Sequence, residues 1–148
     1  MSLKAQIDAD IKQAMLAKEK ETLNALRSLK SLILLEETKG AAKELDAATE
    51  MAVLTRAAKQ RRESAELFHQ QNRADLAEVE EQQLVIIERY LPKQLTAEEL
   101  ETSLKAIIEK VGAKALSDLG KVMGVASKEL AGKADGKLIS ETVKRLLA

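Results

Sequence analysis

The chain has no cysteine and no tryptophan among its 148 residues. Without thiols there is no disulfide, no thiolate metal ligand and no cysteine nucleophile, and the composition suits a reducing compartment. Aromatic residues make up 1% of the chain, namely Phe68 and Tyr90, so a core has to be assembled from Leu, Ile, Val, Met and Ala. His69, the one histidine, stands among polar residues and reads as a surface side chain rather than a metal ligand. Charge of one sign is lacking as well: 24 basic and 24 acidic residues give a formal net charge of +0. No overall field therefore selects a nucleic acid or a membrane, and any such surface must be local. No run approaches the roughly 20 apolar residues that span a membrane. The start Met1-Ser2-Leu3-Lys4 turns amphipathic at once, unlike a signal peptide. A cytoplasmic protein with no membrane partner is the expectation.

Proline is reduced to Pro92, and of the 6 glycines only Gly40 precedes it. Proline cannot extend an incoming helix and pushes the preceding residue toward extended geometry. A boundary is therefore expected here, with an N-terminal helical domain over 1–94 and a small C-terminal helical domain over 95–148. Abundant helix formers and helical spacing of apolar residues predict an all-α fold with long antiparallel helices in the first part and three short helices in the second.

In chain order, Ser2 is placed to cap a helix with Leu3, Ile7, Ile11 and Met15 as its inner stripe. A second helix, from about Glu21 to Lys39, carries Leu29, Leu32, Ile33, Leu34 and Leu35 around much of its circumference and is expected to be the buried one. Gly40 would end it in left-handed geometry, and a polar loop follows. Asp46 opens a third helix with Met51, Leu54, Ala58, Ala65 and Phe68 inward. Arg56, Lys59, Arg61 and Arg62 on this helix read either as a phosphate-binding patch or as a solvated face with Arg61 paired to a carboxylate. A fourth helix, starting at Asn72 or Asp75 and running to Leu91, places Leu76, Val79, Ile86, Ile87 and Tyr90 inward and packs antiparallel to the third.

Beyond Pro92, Thr96-Ala97-Glu98-Glu99 is a capping box for a helix burying Leu100, Leu104, Ile107 and Ile108 and ending at Gly112. Ser117 is placed to cap a short helix through Gly124, and Asp135 a last one burying Ile139, Val143, Leu146 and Leu147. Gly120 and Gly124 share a helix face, where glycine costs roughly 1 kcal/mol against alanine. Close packing inside the molecule is the favoured reason, and approach of a partner's backbone the other. Gly132 to Lys137 is a lysine-flanked turn into a helix N-terminus, whose free N–H groups suit an anion. It lacks the spacing and the preceding strand of a phosphate loop, so an ordinary helix start is the plainer reading.

Catalytic machinery is not legible. A serine nucleophile would need His69 as its base, and Glu78 and Glu80, two apart, do not share a helix face. No catalytic residue, metal ligand or cofactor is expected.

Gly120-Lys121-Val122-Met123-Gly124 and Gly132-x-Ala134-Asp135-Gly136-Lys137 resemble the GatB/YqeY family. So do Lys59-Gln60-Arg61-Arg62-Glu63-Ser64, Asp75-Leu76-Ala77-Glu78 and Tyr90-Leu91-Pro92-Lys93-Gln94-Leu95, so that the similarity spans nearly the whole chain in order. The chain departs from the pattern at Val125-Ala126-Ser127-Lys128, where the family carries a proline before the lysine. The resemblance implies a freestanding YqeY-like protein whose C-terminal domain is similar to the tail of the GatB subunit of the glutamine-dependent tRNA amidotransferase, a tail that helps to hold tRNA. Carbon–nitrogen ligase activity with glutamine as amido-N-donor attaches to this chain only by family association. The expected function is therefore non-catalytic binding of tRNA, or association with an amidotransferase or aminoacyl-tRNA enzyme. Lys121, Lys128, Lys133, Lys137, Lys144 and Arg145 are the candidate phosphate contacts, with Arg56, Lys59 and Arg62 secondary. Gly120, Gly124, Gly132, Asp135, Gly136 and Pro92 shape the backbone. Seven basic residues against four acidic ones from Gly112 to the end agree with this. A helical protein-interaction module is the alternative.

Overall fold

The computed structural model describes residues 2–40 and 44–148, and its regular structure is helical throughout, with no strand among the described residues. The helices are α1 (Leu3–Leu16), α2 (Lys20–Lys39), α3 (Ala47–Gln70), α4 (Ala74–Glu88), α5 (Ala97–Val111), α6 (Leu119–Glu129) and α7 (Gly136–Leu147), with a 3-10 turn at Leu116–Asp118. The all-α fold expected from composition and periodicity is the fold of the protein. The polar loop expected after Gly40 includes residues 41–43, which lie outside the described residues. Packing separates the chain into two compact units, 1–91 and 92–148.

In the first unit, Ser2 caps α1 by accepting from the Ala5 N–H at 3.2 Å. Leu3, Ile7 and Ala14 are buried, whereas Met15 is 54% exposed. A strict four-residue repeat drifts about 40° per step around a helix of 3.6 residues per turn, so Ala14 rather than Met15 returns to the inner face. Helix α2 buries Ala25, Leu26, Leu29 and Ile33, while Leu34 and Leu35 face solvent, Leu35 at 57%; the all-round burial expected for this helix does not hold. Gly40 is not left-handed, with φ −117°, and its N–H closes the helix end onto the Glu37 carbonyl at 3.2 Å.

Asp46 caps α3 through the Thr49 N–H at 2.7 Å. Helices α3 and α4 are joined at 71–73, where Asn72 takes the left-handed conformation (φ 58°) and Arg73 N–H bonds the Phe68 carbonyl at 2.8 Å. Asn72 therefore serves the turn, and α4 begins at Ala74 without a side-chain cap. Ala65 and Ala77 are buried where the two helices pair, small side chains allowing close approach. The inward position assigned to Val79 belongs to Ala77: Val79 is 48% exposed and Ala77 is fully buried. Arg61 Nη1 donates to Glu80 Oε2 at 2.8 Å across the pair, so the plainer reading of Arg61 is the observed one. Helix α4 ends at Glu88 rather than Leu91, because the Arg89 and Tyr90 N–H groups turn back to the Ile86 and Ile87 carbonyls before Pro92.

In the second unit the capping box is formed, Glu99 N–H to Thr96 Oγ1 and Thr96 N–H to Glu99 Oε1, both at 3.1 Å. Helix α5 buries Leu100, Leu104 and Ile107, and Gly112 closes it at φ 70°, where a side chain would be strained. Helix α6 runs past Gly124 to Glu129, and Ser117 does not cap it. Asp118 fixes the approach instead, its carboxylate accepting from the Lys114 and Ala115 N–H groups at 2.9 and 3.3 Å. Helix α7 buries Ile139, Val143 and Leu147 together with Thr142, whose hydroxyl donates to the Leu138 carbonyl at 2.8 Å. These side chains, with Val122, Ala126 and Leu130, form the core of the unit.

Candidate nucleic-acid interface

The residues expected to meet phosphate lie on α6, on α7 and on the turn between them. Viewed down α6, Lys121, Gly124 and Lys128 fall within about 60° of one another, with Gly120 and Ser127 adjoining, at 100° per residue. Val122 and Ala126 on the opposite side are fully buried. A Cβ placed on Gly120 or Gly124 would meet no atom within 4 Å. The close intramolecular packing expected for these glycines is absent; they are an open strip of bare helix backbone edged by two lysines.

The turn before α7 is held from a distance in sequence. Gln94 Nε2 donates to the Gly132 carbonyl at 2.6 Å and to the Pro92 carbonyl at 3.0 Å, and Leu95 N–H donates to the Lys133 carbonyl at 2.9 Å. Two of the sequence motifs, Pro92 to Leu95 and Gly132 to Lys137, thus meet, and Lys93 joins the neighbourhood of Lys133, a cation that sequence reasoning missed. Its signal was the Lys-Gln pair after the proline, legible only once Gln94 is seen to reach Gly132. Asp135 occupies the N-cap position of α7 with no side-chain bond to the helix, so the first N–H groups of α7 are not capped by it. Gly136 carries the first turn with open space where its Cβ would be.

Lys93, Lys121, Lys128, Lys133, Lys137 and Lys144 are all exposed, and none has a carboxylate within ion-pair distance among the described residues. Arg145 differs: its Nη2 lies 3.4 Å from Glu101 Oε2. Arg145, followed by Lys105, holds the Glu101 carboxyl below its ordinary value. The acidic residues near α6 are largely occupied. Glu129 pairs with Lys110 at 3.2 Å. Asp118 is held below its ordinary value mainly by the Lys114 and Ala115 N–H groups, with a smaller contribution from Lys121. These lysines on α6, α7 and the two segments that meet at the turn are exposed and without ion pairs among the described residues, chemistry suited to phosphate oxygens and not to base stacking, since this unit has no aromatic residue. Of the secondary cations on α3, Arg56 lines a cavity of about 120 Å³ with Leu35 and Lys39, and Lys59 lies 4.0 Å from Glu63.

Among the described residues no group of three or more His, Cys, Asp or Glu could hold a metal ion. No described helix is long and apolar enough to cross a membrane.

A family model described as Yqey-like protein matches residues 4–147, and the chain belongs to that family. Among curated proteins it is similar to "Altered inheritance of mitochondria protein 41, mitochondrial" of three yeasts. The Lachancea thermotolerans protein is 35% identical over 101 residues, 68% of this chain and 54% of the relative. For Clavispora lusitaniae the values are 34% over 117 residues, 76% and 66%, and for Vanderwaltozyma polyspora 32% over 136 residues, 91% and 70%. The chain thus spans between about half and about two thirds of the first two relatives' length. These relatives are named as mitochondrial proteins, which overturns the expectation of a cytoplasmic protein drawn from the N-terminus and the lack of cysteine. Neither feature distinguishes one reducing compartment from another.

Proposed function

We propose that the chain is a non-catalytic tRNA-binding protein that grips the tRNA backbone through 92–148, alone or beside an amidotransferase or aminoacyl-tRNA enzyme. The observation that carries this reading is the open strip at Gly120 and Gly124 with Lys121 and Lys128 along its edge. Nothing in the unit packs there, and free cations beside bare backbone admit a phosphate chain more closely than any side-chain-covered helix would. The turn with Lys93 and Lys133 and the start of α7 with Lys137 extend the same chemistry. Contacts of this kind position a nucleic acid without reading its sequence, so recognition would rest on tRNA shape. Any carbon–nitrogen ligase chemistry with glutamine as amido-N-donor would belong to a partner enzyme.

The test is titration of tRNA at two salt concentrations with wild-type protein, with Lys133→Glu/Lys137→Glu, and with a Lys12→Glu/Lys18→Glu control on the other unit. The first pair should weaken binding of many tRNAs alike and lower the salt slope by about one per lost phosphate contact. Binding as strong as that of the control pair, or no salt-dependent binding by the wild type, overturns the reading.

A further inference from the structure

The solvent-facing side of α4 carries Val79 at 48% and Val85 at 57% exposure, with Gln82 between them at three-residue steps. Val85, Ile86 and Gln82 form one wall of an open groove of about 310 Å³, and Glu21 and Thr22 of α2 form the other. Both walls belong to 1–91 and are helix faces, so the groove has the form that receives another helix.

Its charge narrows the occupant. From Ala74 to Glu88 the helix holds five acidic residues and no basic one. Two of the carboxylates are answered by cations within the unit, Asp75 by Arg73 at 3.0 Å and Glu80 by Arg61 at 2.8 Å, and Glu81 lies 2.6 Å from the His69 ring nitrogen Nε2. Glu78, beside Val79, and Glu21, in the groove wall, have no ion-pair partner among the described residues. The cations nearest the groove in sequence are Lys20 and Arg89; Arg89 lines a neighbouring cavity together with Asp10 and Glu19. Glu21 in the groove wall and Glu78 next to the exposed Val79 are therefore carboxylates without an ion-pair partner among the described residues, with Lys20 next to Glu21 in sequence, and they attract cations flanking an apolar face.

We propose that the groove between α2 and α4 docks a basic amphipathic helix of another protein, its apolar face on Val79 and Val85 and its lysines or arginines against Glu21 and Glu78. This surface is independent of the RNA reading, which rests on the other unit.

The test uses the full chain and a fluorescent Leu/Lys amphipathic helix of about 18 residues, followed by anisotropy. Val79→Ser/Val85→Ser and Glu21→Gln/Glu78→Gln alter exposed side chains and should each weaken binding about tenfold or more. Leu35→Ser, an exposed leucine elsewhere on α2, should leave binding unchanged, and thermal melts confirm that all three variants fold. An Ala/Lys helix of equal charge and a Leu/Glu helix of equal amphipathicity should both bind at least about tenfold more weakly than the Leu/Lys helix. Unchanged affinity in either double variant, or equal binding of either control helix, overturns the proposal. So does a wild-type dimer that Val79→Ser/Val85→Ser converts to monomer, because the face would then belong to a second copy of the chain.

Discussion

The Gln94 side-chain amide donates to the carbonyl of Gly132 at 2.6 Å, across 38 residues of chain. Its second bond, to the Pro92 carbonyl, and the Leu95 N–H bond to Lys133 make the segment after the proline part of the second unit rather than a free connection. The division at 91/92 accordingly falls ahead of the 94/95 boundary expected from the sequence. Pro92 ends pairing in the incoming helix, and Gln94 then fastens the chain to the turn before α7.

Gln94→Ala should cost about 0.5–1.5 kcal/mol for the lost bonds, seen as a lower melting temperature, and should speed hydrogen exchange at the Leu95 amide. An unchanged melt with Leu95 as protected as before would show that the turn holds itself.

The paired glycines separate stability from binding. Since a Cβ at Gly124 meets nothing within 4 Å and the position is helical, Gly124→Ala should stabilise by about 0.4–1 kcal/mol through the unfolded chain. Gly124→Leu should also fold, against the overpacking expected if the site were internal, while weakening tRNA binding by covering the backbone. A leucine variant that melts well below wild type would mean that the face is packed after all. One that is stable and binds tRNA normally would remove the strip from the interface.

Much of the fold was legible because local chemistry decided it. Ser2, Asp46 and Thr96 cap helices where their hydroxyl or carboxylate can reach an N–H group three residues on, and Gly112 takes the left-handed position that ends α5. The misreadings share another cause. Met15, Leu34, Leu35 and Val79 are apolar and helical in spacing yet exposed, because which side of a helix is inner depends on neighbours distant in sequence. Ala14 holds the buried position on α1 because the helical period returns it to the inner face, and Ala77 holds the one on α4 where the helix pairs with α3. Lys93 was missed from the candidate interface for a similar reason, as it is brought there by a bond between residues 38 apart. The open environment of Gly120 and Gly124 could not be read from spacing, since close packing and open exposure call for glycine alike.

The last expectation concerns Tyr90, whose hydroxyl donates to Asp10 Oδ2 and fixes the end of the first unit onto α1. Partial burial, followed by the bond to Asp10 and the nearness of its charge, raises the phenol above its ordinary value of 10.0. The folded state therefore prefers the neutral phenol more than the unfolded chain does. The resulting stabilisation is fully present below the unfolded value near pH 10 and is lost as pH rises toward the raised folded value. Tyr90→Phe should cost about 0.5–1.5 kcal/mol at neutral pH for the lost hydrogen bond, and its deficit relative to wild type should shrink above about pH 10, where the wild type alone loses this contribution. Denaturant melts of both proteins from neutral to alkaline pH measure the gap. No gap at neutral pH would mean that Tyr90 acts by ring packing alone, without its bond to Asp10, and a gap that stays constant into alkaline pH would remove the titration of the phenol as its source.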